Sequence, residues 1–149
     1  VLRALMPAEE YRDKTMFLFN RTQLDTIAYE AGATSVLLQQ DLSNSMWTVL
    51  QPTHIDIDMK NIFFAVNTMA ELRAHEVSDA TTAMAGLESP RARIVLQFLD
   101  GHTESLELGQ ATRDSQGRAV VYTRVGGGSQ VFLLRADTVA TLEAGFGRG

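Results

Sequence analysis

The sequence predicts an α+β fold, with an antiparallel sheet built from two strands-then-helix halves, each packed by an amphipathic helix. Three observations carry this expectation. Short alternating runs recur between turn residues, as strands in hairpins do. Two segments carry apolar residues at three- and four-residue spacing, as helices do. The helical segments follow groups of strands instead of alternating singly with them, which argues against a parallel sheet. The 149 residues suit one domain over 1–149. It divides into an arm over 1–19, a first half over 26–73 and a second half over 92–144.

The arm mixes Leu2, Leu5, Met6, Met16, Phe17, Leu18 and Phe19 with a charged patch from Glu9 to Lys14, so its second half should dock. Thr26 to Glu30 alternates and is broken by Ala31-Gly32-Ala33. Val36 to Gln40 continues as a strand, and Asp41 to Ser45 is turn chemistry. Trp47 to Leu50 forms a third strand closed by Pro52. Met59, Ile62, Phe63, Val66, Met69 and Ala70 then mark the first helix, near 57–73, with Asp56 or Asp58 as its cap. Trp47, with its large apolar surface, should be buried against that helix.

A short helical turn over Asp79 to Ala85 should end at Gly86. Glycine just past a helix end takes the left-handed conformation, an apolar residue folds back, and proline prevents continuation. Gly86, Leu87 and Pro90 stand in that order. Ile94, Leu96 and Phe98 alternate with Arg93, Val95, Gln97 and Leu99, and Asp100-Gly101 is a hairpin turn. Thr103 to Leu108 pairs back and Gly109 ends the strand. Ala119 to Val125 and Gln130 to Arg135 form a hairpin across Gly126-Gly127-Gly128-Ser129, and Asp137 caps a last helix over 137–144.

Composition narrows the function classes. Hydrophobic residues make up 45% and charged residues 21%, an ordinary globular balance. The formal net charge is −5, without the clustered Lys and Arg of a nucleic-acid or anionic-lipid surface. The absence of cysteine excludes disulfides, thiolate zinc sites and cysteine nucleophiles. No apolar run reaches the ~18 residues of a membrane helix.

The sharpest local motif is Thr-His-Ile-Asp-Ile-Asp, residues 53–58. In an extended strand His54, Asp56 and Asp58 would share one side. A histidine and two carboxylates would suit a divalent cation at the centre of a metal-assisted hydrolase. The other reading is a loop entering the helix, with one Asp as cap and the other favoured by the helix dipole. Pro52 upstream and the helical period from Met59 favour the loop. No catalytic, cofactor-binding or metal residue is therefore assigned. His54, His75 and His102 show no ligand spacing. The glycine run lacks the lysine and helix of a phosphate loop. No Gly-x-Ser-x-Gly elbow is present. Glu104 and Glu107 fall on opposite faces of a strand, and Arg91 and Arg93 read as solvated.

One pattern spans most of the chain. Trp47 and Pro52, then Gly86-Leu87 and Pro90, Asp100-Gly101, Leu108-Gly109, Tyr122 and Val131-Phe132-Leu133 occur in this order. Over about residues 13–144 this resembles the bacterial family called domain of unknown function 4340. The family often has Tyr where Ala85 stands, and an Asp closer behind the Pro than Asp56 or Asp58. The resemblance implies a periplasmic body at the extracytoplasmic face of a bacterial inner membrane, held by an anchor preceding this chain. Together with the missing nucleophile and missing metal-ligand spacing, it leads to the expectation of a non-catalytic binding module, accessory to a membrane assembly of the ABC-transporter type. Its partner would be a membrane or envelope protein, with no nucleic acid and no cofactor. The family has no established catalytic residues, and the oligomeric state stays open.

Overall fold

In the computed structural model, eight strands of the described residues form one antiparallel sheet in the order β3-β2-β1-β5-β6-β7-β8-β4. The structure describes residues 14–41, 43–44, 46–51, 57–126 and 128–146. The strands are β1 Leu24–Ala31, β2 Thr34–Asp41, β3 Met46–Gln51, β4 Glu76–Ser78, β5 Ala92–Phe98, β6 Thr103–Arg113, β7 Ala119–Val125 and β8 Val131–Arg135. The helices are α1 Met59–Ala70 and α2 Ala136–Ala144, and a 3-10 turn covers Arg21–Gln23. The α+β architecture is the one the alternating runs and helical periods predict.

Alternation sends one side chain in two to each sheet face. On the first face Ile27, Tyr29, Leu38, Ile94, Leu106 and Leu134 join one core with Ile62, Val66 and Met69 of α1 and Val139 and Leu142 of α2. The helices pack against each other, with α1 beside β3 and α2 beside β7 and β8. Trp47 is 4% exposed, as expected for its size. The end of α2 is fixed to the middle of the sheet. Phe146 stacks on the Tyr29 ring at 4.9 Å. The Tyr29 hydroxyl donates to Glu143, whose two carboxylate oxygens each lie 3.4 Å from an Arg91 nitrogen. Arg91 is thus tied down by α2, not merely solvated.

The second face differs between its two ends. Over β7 and β8 it is covered by a small cluster of Ala85, Leu87 and Val131, with Tyr122 packed against it. Gly86 has φ +73°. Its N–H donates to the Ala83 carbonyl at 3.3 Å, and the Leu87 N–H to the Thr82 carbonyl at 2.9 Å. This pair of bonds is the Schellman stop that the Gly-Leu-x-x-Pro order predicts, but it closes a turn over 82–86 with one helical bond, from the Ala85 N–H to the Thr81 carbonyl, and not a helical turn from Asp79. Over the first half of the sheet, Thr48, Gln39, Gln97, Arg93 and Glu30 on this face are exposed.

Several elements differ from expectation. The first helix ends at Ala70, short of Arg73, because residues beyond it pair with the arm. The Leu72 carbonyl accepts from the Met16 and Phe17 N–H groups, and the Ala74 N–H donates to the Lys14 carbonyl. β4, absent from the sequence reading, pairs Glu76 with Leu133 and Ser78 with Val131. Three residues are too few to display a period. Gly109 does not end its strand. β6 continues to Arg113, with its register against β7 shifting between Leu108 and Ala111. Gly109 instead lets the 81–87 turn approach, since a β-carbon there would stand 2.2 Å from the Ala85 carbonyl oxygen. Asp137 is not a cap. β8 runs directly into α2 with Arg135 at the N-cap and no side-chain cap bond, leaving Asp137 in the first turn.

Candidate functional site

The predicted cation set does not assemble among the described residues. Pro52, His54 and Asp56 lie outside them. Asp58 is the N-cap of α1, and its carboxylate accepts the Lys60 N–H at 2.9 Å. That is the loop-and-cap reading for this residue, and it satisfies one orphan donor of the helix start.

Among the described residues, His75, Glu76 and Asp114 form the group with metal-like spacing. The His75 N–H donates to the Leu133 carbonyl at 2.8 Å, which pins the start of β4 to β8. Asp114 begins the β6–β7 turn. Its Oδ1 accepts from the N–H groups of Gln116 at 2.9 Å and Arg118 at 2.8 Å. Its Oδ2 lies 2.9 Å from His75 Nε2 and 3.5 Å from Arg118 Nε. Glu76 Oε1 is 3.8 Å from the same histidine nitrogen. The Arg118 N–H, then the His75 ring, hold the Asp114 carboxyl below the ordinary carboxylate range.

This arrangement opposes a cation. The histidine nitrogen that would ligate is already bonded to the carboxylate, and a guanidinium faces the same oxygen. The group is a staple that closes a turn and ties it to β4. An aspartate three residues before Gly117 is a legible turn signal. Its pairing with His75, 39 residues away, is not.

The other histidine among the described residues is His102, at the Asp100-Gly101 hairpin. It is exposed and stacks on Phe98 at 4.4 Å. The Asp100 carboxylate raises its pKa above the ordinary histidine value, helped by Glu104 at 3.5 Å. Glu104 and Glu107 lie on opposite faces, as expected. Glu107, however, is buried. Arg124 donates Nε to it at 2.7 Å, holds Nη2 at 2.6 Å, and also donates Nη2 to the Leu87 carbonyl at 3.3 Å. In register, Glu30, Arg93, Glu107 and Arg124 alternate in sign across β1, β5, β6 and β7. Sequence reasoning missed this row because strand order and register are needed to see it.

The motif residues therefore divide. Gly86, Leu87, Gly109 and Tyr122 converge where the 81–87 turn meets the sheet. Trp47 lies in the main core, and Asp100-Gly101 makes a hairpin at the other end of β5.

The outer edge of β3 pairs with no described strand. Its residues Met-Trp-Thr-Val-Leu-Gln carry no charge, and Met46, Thr48 and Leu50 are exposed. On the same face a row of Leu37, Ala28 and Val95 crosses β2, β1 and β5. No family model, no curated protein and no solved structure matches this chain.

Proposed function

We propose that this chain is a non-catalytic interaction module outside the bacterial cytoplasm, accessory to a membrane assembly, which engages its partner along β3. The observation that carries this reading is the edge itself. Sheets blunt a free edge with charge, proline, bulged twist or brevity. β4, at the other edge, is three residues long and begins with Glu76. β3 has six residues, no charge and exposed apolar side chains at Met46 and Leu50; its bulge, at Leu50 opposite Leu37–Leu38, leaves Met46 to Val49 in regular register with β2. The outer backbone groups of β3, which pair with no described strand, suit an extended segment of another protein, whose main chain would add a strand while its alternate side chains meet Met46, Thr48 and Leu50. The extracytoplasmic setting and the class of partner rest on the resemblance to domain of unknown function 4340.

The test uses the full-length protein in its native membrane, with a photo-crosslinking residue at Thr48 or, as a control, at Gln116 in the β6–β7 turn. The expected result is a discrete adduct with a membrane protein from position 48 alone, abolished by Leu50→Lys. Equal labelling from both positions, or an adduct indifferent to Leu50→Lys, would refute it.

A further inference from the structure

A cavity of ≈ 350 Å³ opens between the 3-10 turn, the β2–β3 edge and α1, lined by Arg21, Thr22, Gln40, Trp47, Phe63 and Val66. The volume is at the small end of the range for small-molecule sites. Its walls are apolar and aromatic: Trp47 from β3, and Phe63 and Val66 from one face of α1. Its polar groups come mainly from one short segment that the fold holds rigidly. Asn20 caps the turn by accepting the Thr22 N–H at 3.0 Å and the Thr22 hydroxyl at 2.8 Å. The amide nitrogen of the buried Gln40 donates to the carbonyls of Arg21 at 3.1 Å and Leu24 at 2.9 Å. The backbone bearing Arg21 is therefore fixed from both sides.

The exposed guanidinium is oriented by one bond to a neutral group. Arg21 Nη1 donates to Asn67 Oδ1 of α1 at 2.7 Å. Of the eight described arginines, 91, 118, 124 and 135 meet a carboxylate, whereas 21, 73, 93 and 113 meet none among the described residues, and of these four Arg21 alone lines this cavity. Arg21 meets an amide, which orients it and leaves its charge uncompensated by any described residue. A positioned cation beside an aromatic wall is the chemistry of a site for an anion with an apolar body. No second cation lines the cavity among the described residues, which suits one negative charge better than a phosphate dianion.

We propose that this cavity binds a small monocarboxylate with an aryl-sized apolar body. The carboxylate pairs with Arg21, and the body lies against Trp47, Phe63 and Val66. This proposal does not rest on the pairing proposed along β3, although Trp47 belongs to that strand.

Trp47 is the one tryptophan of the chain, so its fluorescence reports on the cavity directly. The probe is 4-phenylbutyrate, with uncharged 4-phenylbutyramide as its control. Titration of the wild-type protein should give a saturable change with a Kd of about 1 mM or tighter. The amide should bind about tenfold more weakly or not at all. Arg21→Gln should lose about tenfold in affinity for the acid while keeping the wild-type urea midpoint. No saturable change up to ~10 mM acid would overturn the proposal. So would equal binding of acid and amide to the wild-type protein, a result that does not depend on whether the variant folds.

Discussion

Replacing Gly109 by alanine tests how the 81–87 turn is seated on the sheet. A β-carbon at this position would stand 2.2 Å from the Ala85 carbonyl oxygen and 3.1 Å from Leu87 Cδ2. A carbon–oxygen contact is comfortable at about 3.3 Å or more, so backbone must move by about 1 Å. The moving part is the turn or β6 itself. Either shift strains the 2.9 Å bond from the Gln110 N–H to the Ala85 carbonyl and unseats the buried Leu87. Losing that bond costs about 1 kcal/mol. Partly exposing Leu87 adds about 1–2 kcal/mol. The expected destabilisation is about 2–3 kcal/mol.

Gly86→Ala is the matched comparison. Its φ of +73° penalises a β-carbon by about 1 kcal/mol. Its nearest obstacle, Gln110 Cγ at 2.6 Å, belongs to an exposed, rotatable side chain. Gly109→Ala should therefore be the more damaging change, although Gly86 has the rarer backbone conformation. Urea unfolding followed by Trp47 fluorescence measures both, and the melting temperature of Gly109→Ala should fall by roughly 4–12 °C. Hydrogen exchange at the Gln110 amide should accelerate in that variant ahead of the core strands. A Gly109→Ala protein within about 0.5 kcal/mol of wild type, or less affected than Gly86→Ala, would refute the reasoning.

Three further outcomes are expected. Because the Asp114 carboxyl is held low in the folded state, its stabilisation is complete above the ordinary carboxylate pKa of about 4 and is lost as pH falls through the folded value. Thermal melts against pH should show wild type losing its advantage over Asp114→Asn on that acid side; a constant gap down to the lowest pH at which both fold would contradict this. A double-mutant cycle of Glu107→Ala and Arg124→Ala should give a coupling of about 1–3 kcal/mol, since both side chains are less than a quarter exposed; additive effects would mean the pair is inert. One equivalent of Zn²⁺ should leave the melting temperature within about 1 °C, because Arg118 faces the oxygen a metal would need, whereas a larger rise abolished by His75→Ala would restore a metal role.

What the sequence disclosed, and what it withheld, follows the range of the interactions. Gly86-Leu87-x-x-Pro90, Asp100-Gly101 and the helical period from Met59 are local signals, and each marks the element it predicts. β4 escaped because its only pattern is its pairing with β8. The end of α1 was misplaced because residues 71–74 are claimed by the arm, a choice local propensity does not encode. Gly109 looked like a strand end because its need for space comes from Ala85, far away in sequence. The groups with chemical potential are less legible still. The His75–Asp114 staple, the Glu107–Arg124 pair and the cavity around Trp47 each join residues from separate elements, and they come together only once strand order is known.

The strand order also sets a timetable for the newborn chain. β1 borders β2, its neighbour in sequence, and β5, whose Gln97 lies 71 residues beyond its partner Thr26. At ribosomal rates of about 5–20 residues per second, that interval is roughly 4–14 s, against microseconds for closing a hairpin. For those seconds the first three strands have no second-half partner, and the inner edge of β1 is open to any strand it meets. The same gap permits an exchange in which β1–β3 of one copy complete the sheet of another. Fragments ending before β5 should therefore precipitate or bind holding chaperones, and those extending through α2 should not.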